Sequence, residues 1–378
     1  MDKNLKGDTI KLYDLLYLSA KNAIPLQNEQ GAFPPGHNGV RFDPETPVRN
    51  TGHWLITMLK VYELTQETVF KESAEKALDY LLSSEARPMN ATFWHRKKPQ
   101  KDFCNGLMGQ AYTVEALAEA YRVTGRTDAK TIADEVFLLH PFDNETGLWR
   151  RVAVDGSYLS ADDTFNHQLW FAASGALLWK SGGNDEVKRR VTVFVDNLHR
   201  NMKLYNTRYK GLIKHPLLQN LSDSNDIISK AKKFVAEAKQ IRKKETKHAI
   251  AYHMFNLYAL SLLRLCYPDH SFWEHKKCKM VLQFMQSDQY RNIAEDPAFS
   301  IPHSPGGFET SFIERAFTLE VFYGKGKYLE EQERLVSEQF KKNFDFDKYM
   351  MNSATADPVT QSARIYKATR LPDLNITV

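Results

Sequence analysis

Apolar segments with helical spacing follow polar loops at intervals of roughly 50–60 residues along the chain. Each of these loops is rich in Gly, Pro, Asp or His and leads directly into an apolar segment. The junctions lie at residues 50–54, 102–106, 162–168, 248–253, 306–309 and 357–361. Segments with charged outer faces lie between them, near residues 9–22, 67–83, 127–139, 184–203, 271–287 and 327–343.

The two kinds of segment distribute their apolar residues differently. In the segment that begins at Thr68, Phe70, Ala74 and Leu81 share one helical face, and charged residues occupy the other. This pattern is typical of a helix with one face in solvent. The segment from Phe165 to Lys180 has almost no polar face, which predicts a helix buried on all sides.

Six buried helices that alternate with six amphipathic ones predict an all-α fold, an (α/α)6 toroid of six helical hairpins. No Gly- or Pro-rich linker divides the chain, so residues 1–378 are expected to form one domain. In such a toroid the polar loops before the inner helices converge at one end of the ring. Three of these loops, at residues 26–50, 84–106 and 140–164, are long enough to indicate a functional role.

Two segments depart from the simple alternation. Residues 205–247 lengthen one repeat, and an amphipathic stripe within them predicts an inserted helix near residues 225–245. Its basic face is either solvated, or forms a lid or a contact surface for an acidic partner. Residues 148–154 alternate before Asp155-Gly156, which predicts a β-hairpin with a two-residue turn.

Composition narrows the function classes. The net charge is only +5, and the basic excess is concentrated between Lys230 and Lys247, so nucleic-acid binding is not favoured. Three cysteines without metal-ligand spacing predict neither a disulfide framework nor a zinc site. No signal peptide or membrane span is evident, and we expect a cytoplasmic enzyme without a cofactor. The sequence leaves a homo-oligomer open.

Loop carboxylates are the first candidates for acid–base chemistry. Asp102, Asp162 and Asp163 each stand just before a predicted inner helix, where an N-capping role is the alternative. Adjacent Asp162 and Asp163 would raise each other's pKa if both faced one cavity, as a general acid requires.

Histidines form a second set of candidates. His53, His95 and His167 lie at or near the starts of three successive inner helices. No HxxxH or HExxH pattern accompanies them, so metal ligation is not expected. As bases they would instead serve an epimerase or isomerase.

Aromatic and basic side chains in the same loops predict a sugar-binding cleft. Arginine forms two parallel hydrogen bonds with a carboxylate, so these loops suit an acidic sugar. The predicted substrate-binding residues are His37, Arg41, Arg49, Trp54, Trp94, His95, Arg96, Trp149, Arg150, Trp170 and Glu309. Pairing of the arginines with loop carboxylates, and burial of Trp149 and Trp170 in the core, are the alternatives.

Several segments between residues 26 and 180, among them DPETPVRNTGHWL and DDTFNHQLWFAASGA, resemble the AglQ-type proteins of archaeal N-glycosylation and bacterial surface-polysaccharide clusters. The six-hairpin layout is more remotely similar to unsaturated glucuronyl and rhamnogalacturonyl hydrolases. The resemblance implies an (α/α)6 barrel that acts on a hexuronic-acid glycan, with an oligosaccharide or a sugar-linked small molecule as substrate.

In those hydrolases one Asp before the second inner helix and one before the third protonate an unsaturated sugar and help water to add. By position they correspond to Asp102 and Asp163, with Asp162 in reserve. The hydrolases' own motif around the second Asp is absent from DDTFNHQLW. The first hypothesis is therefore a hydrolase-like enzyme for uronic-acid glycans. The alternatives are an epimerase or isomerase with His53, His95 or His167 as base, and a non-catalytic glycan-binding subunit of an assembly complex.

Overall fold

A computed structural model describes residues 9–206, 208–217, 231–294, 306–317 and 324–378. Its helices are α1 Leu12–Ala23, α2 Val48–Thr65, α3 Thr68–Leu82, α4 Gly106–Thr124, α5 Thr127–Leu139, α6 Phe165–Lys180, α7 Asp185–Asp196, α8 Leu198–Asn201, α9 Ala231–Cys266, α10 Lys276–Gln286, α11 Asp288–Ala294, α12 Gly306–Ala316, α13 Lys325–Asn343 and α14 Pro358–Ala363. Short 3-10 helices lie at Ile24–Leu26, Gly39–Arg41, Ser271–Glu274 and Arg364–Arg370.

The inner helices close into a ring. Helix α4 packs between α2 and α6, α6 packs on α9, and α9 packs on α12. The 3-10 helix Arg364–Arg370 contacts both α12 and α2 and so completes the circle. Helices α1, α3, α5, α7 and α13 pack on the outside of this ring. The predicted (α/α)6 barrel is confirmed.

The buried faces follow the sequence pattern. Most residues of α2, α4 and α6 are buried, whereas α3 and α7 bury one stripe each. Gly125 ends α4 in a left-handed conformation with φ of 72°, and Thr127 begins α5 two residues later. Because glycine has no Cβ, this conformation carries no steric penalty, and the chain reverses directly from an inner helix to an outer one.

Five short strands complete the described fold. Strands β1 Thr9–Lys11 and β5 Asn375–Thr377 pair antiparallel near the two ends of the described chain. Strands β2 Phe142–Asp143, β3 Leu148–Val152 and β4 Tyr158–Ala161 form an antiparallel sheet. The predicted hairpin is therefore present. Its connection is longer than two residues, because Val152 pairs with Tyr158 and the Asp155 carboxylate holds the turn through the backbone N–H of Ser157.

Residues 225–230 of the helix predicted near residues 225–245 lie outside the described residues. From Ala231 the chain is helical and continues without a break into the inner helix that ends at Cys266, so the predicted insertion is not a separate helix there. No Gly or Pro occurs between these two residues, so the local sequence contains no strong helix breaker. The proposed basic face falls largely on side chains outside the described part of the structure. Within the described residues, every helix is too short or too polar to cross a membrane.

Candidate active site at the mouth of the barrel

A cavity of about 60 Å³ opens where the inner helices begin. This volume holds a few water molecules, so a sugar ring would enter only after side chains of the lining move. The cavity is lined by Asn38, Arg41, Arg49, Arg96, Asn105, Met108, Tyr112, Asn166, His167, Tyr252, Phe255 and Arg364. These residues come from five different inner elements and the loops before them, although Tyr252 and Phe255 lie well inside the long helix α9.

A histidine and a buried carboxylate form the most clearly organised pair at the cavity. Nδ1 of His167 lies 2.9 Å from Oδ2 of Asp162. The carboxylate is 4% exposed and the imidazole is 26% exposed, and the imidazole lines the cavity. Because a carboxylate accepts the Nδ1 proton, Nε2 of the neutral ring is left with a lone pair. This arrangement suits a general base that is oriented by an acid.

Residues at the start of α4 help to hold the carboxylate of Asp162 in position. Oδ2 of Asp162 accepts the backbone N–H of Leu107 at 3.3 Å, and Oδ1 accepts that of Thr164 at 3.3 Å. A Cβ on Gly106 would lie 2.8 Å from Oδ2, so any larger residue would displace the carboxylate. Burial disfavours the charge of Asp162, but His167 and these backbone donors outweigh burial and lower its pKa.

Two inner-helix glutamines hold the loops of the mouth in the same way. The amide of Gln110 accepts the backbone N–H of Phe93 and donates to the carbonyl groups of Phe93 and Cys104. The amide of Gln168 accepts the N–H of Trp149 and donates to the carbonyl groups of Trp149 and Asp162. Each loop is therefore fixed from beneath by a buried side chain.

The other two candidate acids do not line the cavity. Asp102 accepts from Arg96 at 3.3 Å and from Arg151 at 2.8 Å, so each of its oxygens is occupied by a guanidinium group. Asp163 is exposed, and its backbone carbonyl accepts the N–H of Leu217 at 2.7 Å. The catalytic roles expected for Asp102 and Asp163 therefore stay predictions.

Arginines supply the charge at the cavity wall. Arg49 is buried and pairs with Glu45, and it also donates to Thr360 at 3.0 Å. Arg41 is exposed and donates to the hydroxyl of Tyr252 at 3.4 Å, and in the described part of the chain it has no carboxylate partner. Arg150 points elsewhere, because it donates to the carbonyl of Leu159 and does not line the cavity.

Two of the predicted histidines are buried beneath the mouth. His53 stacks on Tyr366 with ring centroids 4.3 Å apart, and neither of its ring nitrogens has a partner among the described residues. Burial, followed by the charges of Arg49 and Arg364, holds its pKa well below the usual range. Nε2 of His95 lies 3.1 Å from the Thr113 hydroxyl, and burial lowers its pKa to about 3. Both rings are therefore neutral at physiological pH.

A group of aromatic rings around His215 lies beside His167. His215 lies 5.1 Å from Tyr252 and 6.1 Å from His248 between ring centroids. Burial and the neighbouring His167 lower the pKa of His215 to about 4. The Tyr252 hydroxyl group faces the cavity together with Phe255 and Tyr112. The sequence pattern did not distinguish these residues as candidates, although residues 248–253 form one of the recurring junctions.

The four tryptophans predicted to bind substrate are not among the residues that line the cavity. Trp54 packs on Phe33 in the core, and Trp149 lies among four phenylalanines. Trp170 stacks on Phe255 with ring centroids 4.5 Å apart and is buried beneath the cavity. Trp94 donates to the carbonyl of Arg96 at 2.6 Å, which supports the loop.

The last two predicted binding residues also have structural partners. The His37 ring stacks on Phe42, and its backbone N–H donates to Asp357 at 3.0 Å. Glu309 is buried and pairs with Lys367 in the centre of the barrel. Desolvation lowers the pKa of Lys367 to about 8, although Glu309 opposes this shift. Within the described residues, no cluster of three or more His, Cys, Asp and Glu side chains could hold a metal ion.

Comparison with known proteins adds one close relative. The chain is 42% identical to archaeal glycosylation protein Q of Haloferax volcanii over 376 residues, which is 97% of this chain and 98% of that protein. No family model matches the chain.

Solved structures share the fold at low identity. D-mannose isomerase has a TM-score of 0.62 at 13% identity and covers 95% of this chain and 97% of its own. Cellobiose 2-epimerase from Bacillus thermoamylovorans has a TM-score of 0.61 at 12% identity, covering 94% and 98%. An unsaturated glucuronyl hydrolase specific for heparin has a TM-score of 0.59 at 12% identity, covering 95% of each chain. These likenesses establish a six-hairpin (α/α)6 barrel.

Proposed function

The chain belongs to the family of archaeal glycosylation protein Q, and on that premise we propose that it is a carbohydrate-active enzyme that epimerises or isomerises an acidic sugar. The observation that carries this proposal is the pair of His167 and Asp162 at the cavity. Solved barrels of the same fold include an epimerase and an isomerase, which makes the chemistry compatible with the scaffold.

The reaction begins with removal of a proton from a carbon next to a carbonyl or carboxyl group of the sugar. Nε2 of His167 takes the proton, and the C–H electron pair moves onto the oxygen to give an enolate. Asp162 stabilises the imidazolium that forms. Guanidinium groups on the cavity wall stabilise the oxyanion. Transfer of the proton from His167 to the former carbonyl carbon, while the adjacent hydroxyl proton moves to the enolate oxygen, gives an isomer. Protonation of the first carbon on its other face by a water molecule, while His167 releases its proton to solvent, gives an epimer.

The arginines favour an acidic substrate. Arg41 lines the cavity from the exposed rim, and its only described side-chain partner is a neutral hydroxyl. A uronate would give it a charge-assisted, bidentate partner. The described lining contains no carboxylate that would repel such a sugar. A hexuronic acid, free or at the end of a glycan, is therefore the substrate class we propose.

Hydrolysis by Asp102 and Asp163 is the competing mechanism. It needs two carboxyl groups across one cleft, with one of them able to donate a proton. Here neither residue lines the cavity, and both oxygens of Asp102 are held by arginines. The geometry therefore favours proton transfer by His167 over cleavage by this carboxylate pair.

The test is exchange of a sugar C–H proton with solvent. Purified protein is incubated in D2O with a panel of uronic acids and their neutral parent sugars, and proton NMR follows the loss of C–H signals and the appearance of new isomers. His167→Gln should reduce exchange by about 10²–10⁴-fold, the range for loss of a general base. His199→Gln is the matched control, because His199 is exposed and donates to the backbone of Asp196.

Three results would contradict the proposal. Full exchange in His167→Gln would exclude this base. Cleavage of a glycosidic bond that is lost in Asp102→Asn and kept in His167→Gln would favour the hydrolase. Tight binding of uronates without any exchange or cleavage would favour a glycan-binding subunit.

A further inference from the structure

A second cavity, of about 410 Å³, lies on the other side of a loop that borders the mouth of the barrel. Its walls come from residues 203–206, residues 214–217 and the first turns of α10. It is lined by Lys203, Leu204, Tyr205, Asn206, Lys214, Pro216, Leu217, Lys276, Lys277 and Met280. Four of these ten side chains are lysines, and none is acidic.

The four ammonium groups are not neutralised within the described chain. Lys203, Lys214, Lys276 and Lys277 form no ion pair with any described carboxylate. The Nζ of Lys277 is fixed by the backbone carbonyl groups of His199 and Met202, at 2.6 and 2.8 Å. Partial burial, followed by the charges of Lys203 and Lys276, lowers the pKa of Lys277. The cavity therefore concentrates positive charge that an anion would relieve.

Residues 213–217 separate this cavity from the mouth cavity. The N–H of Lys214 donates to the carbonyl of Lys203 at 2.8 Å, and the N–H of Leu217 donates to the carbonyl of Asp163 at 2.7 Å. Lys214, Pro216 and Leu217 line the lysine cavity, whereas the His215 ring lies beside Tyr252 of the mouth cavity. The two cavities thus share one wall.

We propose that the lysine cavity binds the diphosphate group of the carrier that presents the sugar substrate. This inference rests on the proposed function, because it specifies how that substrate is carried. Lysine ammonium groups bind phosphate oxygens as point charges, and a diphosphate offers several oxygens to a cluster of them. The carboxylate of the sugar is matched instead by the planar guanidinium groups at the mouth.

The carrier beyond the diphosphate has two chemical sources. A nucleoside diphosphate would place a base on the rings and aliphatic side chains of the cavity wall, and a prenyl diphosphate would place a hydrocarbon chain there. Leu204, Pro216, Leu217 and Met280 supply the apolar part of that wall. The diphosphate is common to both sources, so it is the group to test first.

The test measures binding by calorimetry with three probes: inorganic pyrophosphate, uridine diphosphate and geranyl diphosphate. The double variant Lys203→Gln/Lys276→Gln should weaken pyrophosphate binding at least about tenfold, since each removed ammonium deletes a charge-assisted contact. Lys279→Gln is the matched control, because Lys279 is on the same helix, is 57% exposed and pairs with Glu274 outside the cavity. It should bind pyrophosphate as the parent protein does.

The outcomes separate this site from the proposed chemistry. Tighter binding of one organic diphosphate than of pyrophosphate identifies the carrier and supports the site. Pyrophosphate binding that is unchanged in His167→Gln also supports it, whatever that variant does to turnover. Absence of pyrophosphate binding would overturn the inference. Equal weakening by Lys279→Gln and by the double variant would also overturn it, because binding would then depend only on the general surface charge.

Discussion

Replacing Asp162 with asparagine removes one negative charge next to the imidazole of His167 and leaves the size of the side chain unchanged. The Nδ1 and Oδ2 atoms are 2.9 Å apart. At an effective dielectric constant of about 20, two unit charges at that separation attract by about 6 kcal/mol. The imidazole is 26% exposed, so solvent screening reduces this to about 3 kcal/mol of stabilisation for the imidazolium formed during proton transfer.

Three kcal/mol corresponds to a loss of about 10²-fold in kcat at 25 °C. The loss should appear in kcat rather than in KM, because the charge of the imidazolium develops only as the proton moves. At neutral pH the effect should be complete, since the pKa of Asp162 is lowered and the carboxylate is ionised there. The assay is the rate of sugar C–H exchange in D2O, followed by proton NMR at saturating substrate.

Folding must be checked separately, because Asp162 also accepts the backbone N–H groups of Leu107 and Thr164. The amide oxygen of asparagine keeps one acceptor, and the lost bond should cost about 1–2 kcal/mol. Asp163→Asn is the matched control, since Asp163 is adjacent but exposed. Equal kcat in Asp162→Asn and the parent protein, or a larger loss in Asp163→Asn, would refute the role assigned to the pair.

Three further changes test other parts of the structure. Arg41→Met should weaken binding of a uronate roughly tenfold and leave its neutral parent sugar unaffected by calorimetry; equal weakening of both would contradict carboxylate recognition. Glu115→Gln leaves the charge of Arg370, 2.6 Å away, without its buried partner and should cost about 3–5 kcal/mol in urea unfolding, whereas an unchanged midpoint would show that the pair is not needed for stability. The backbone N–H groups that donate to Asp357 outweigh burial and lower its pKa to about 2. The charged carboxylate therefore stabilises the fold fully above about pH 4, and this stabilisation is lost as the pH falls to about 2. Between these pH values the melting temperature should drop more steeply in the parent protein than in Asp357→Asn.

The architecture could be predicted because local patterns determine it. The segments predicted at 67–83 and 127–139 correspond to α3 at Thr68–Leu82 and α5 at Thr127–Leu139. An amphipathic stripe, followed by a glycine or a polar cap, is enough to define such an outer helix. The continuous helix α9 was harder to predict, because a change from a charged surface to a buried one need not coincide with a break in the backbone.

The choice between two adjacent carboxylates could not be made from the sequence. Both residues directly precede α6, yet the side chain of Asp162 is buried against the start of α4, whereas Asp163 is exposed. Contacts distant in sequence hold this segment, since Thr164 bridges to Pro216 and the carbonyl of Asp163 accepts the N–H of Leu217. One partner of Asp102 is equally distant in sequence, because Arg151 is 49 residues away, whereas Arg96 is only 6 residues away.

The cavity-lining residues that the sequence pattern did not indicate also depend on contacts between distant parts of the chain. Tyr252 and Arg364 face the cavity only because the ring closes, and neither lies in one of the long loops that drew attention. Asn105 and Asn166 do lie at predicted helix starts, but neutral amides carry no charge pattern that distinguishes a ligand-binding residue from a cap. Repetition of a polar residue at equivalent inner-helix positions, as with Gln110 and Gln168, was the one available pattern.

The distribution of charge through the barrel is compatible with the proposed base and the proposed anion-binding groups in one small cavity. Deep in the ring, Lys367 is matched by Glu309 and Arg370 by Glu115, so these cations add little field at the mouth. The negative charge that acts on His167 comes from one buried carboxylate behind the ring. On the exposed rim Arg41 stands without a carboxylate partner in the described chain. On the proposed function, a uronate bound there would be held away from Asp162, and its orientation would select which C–H bond is presented to the imidazole.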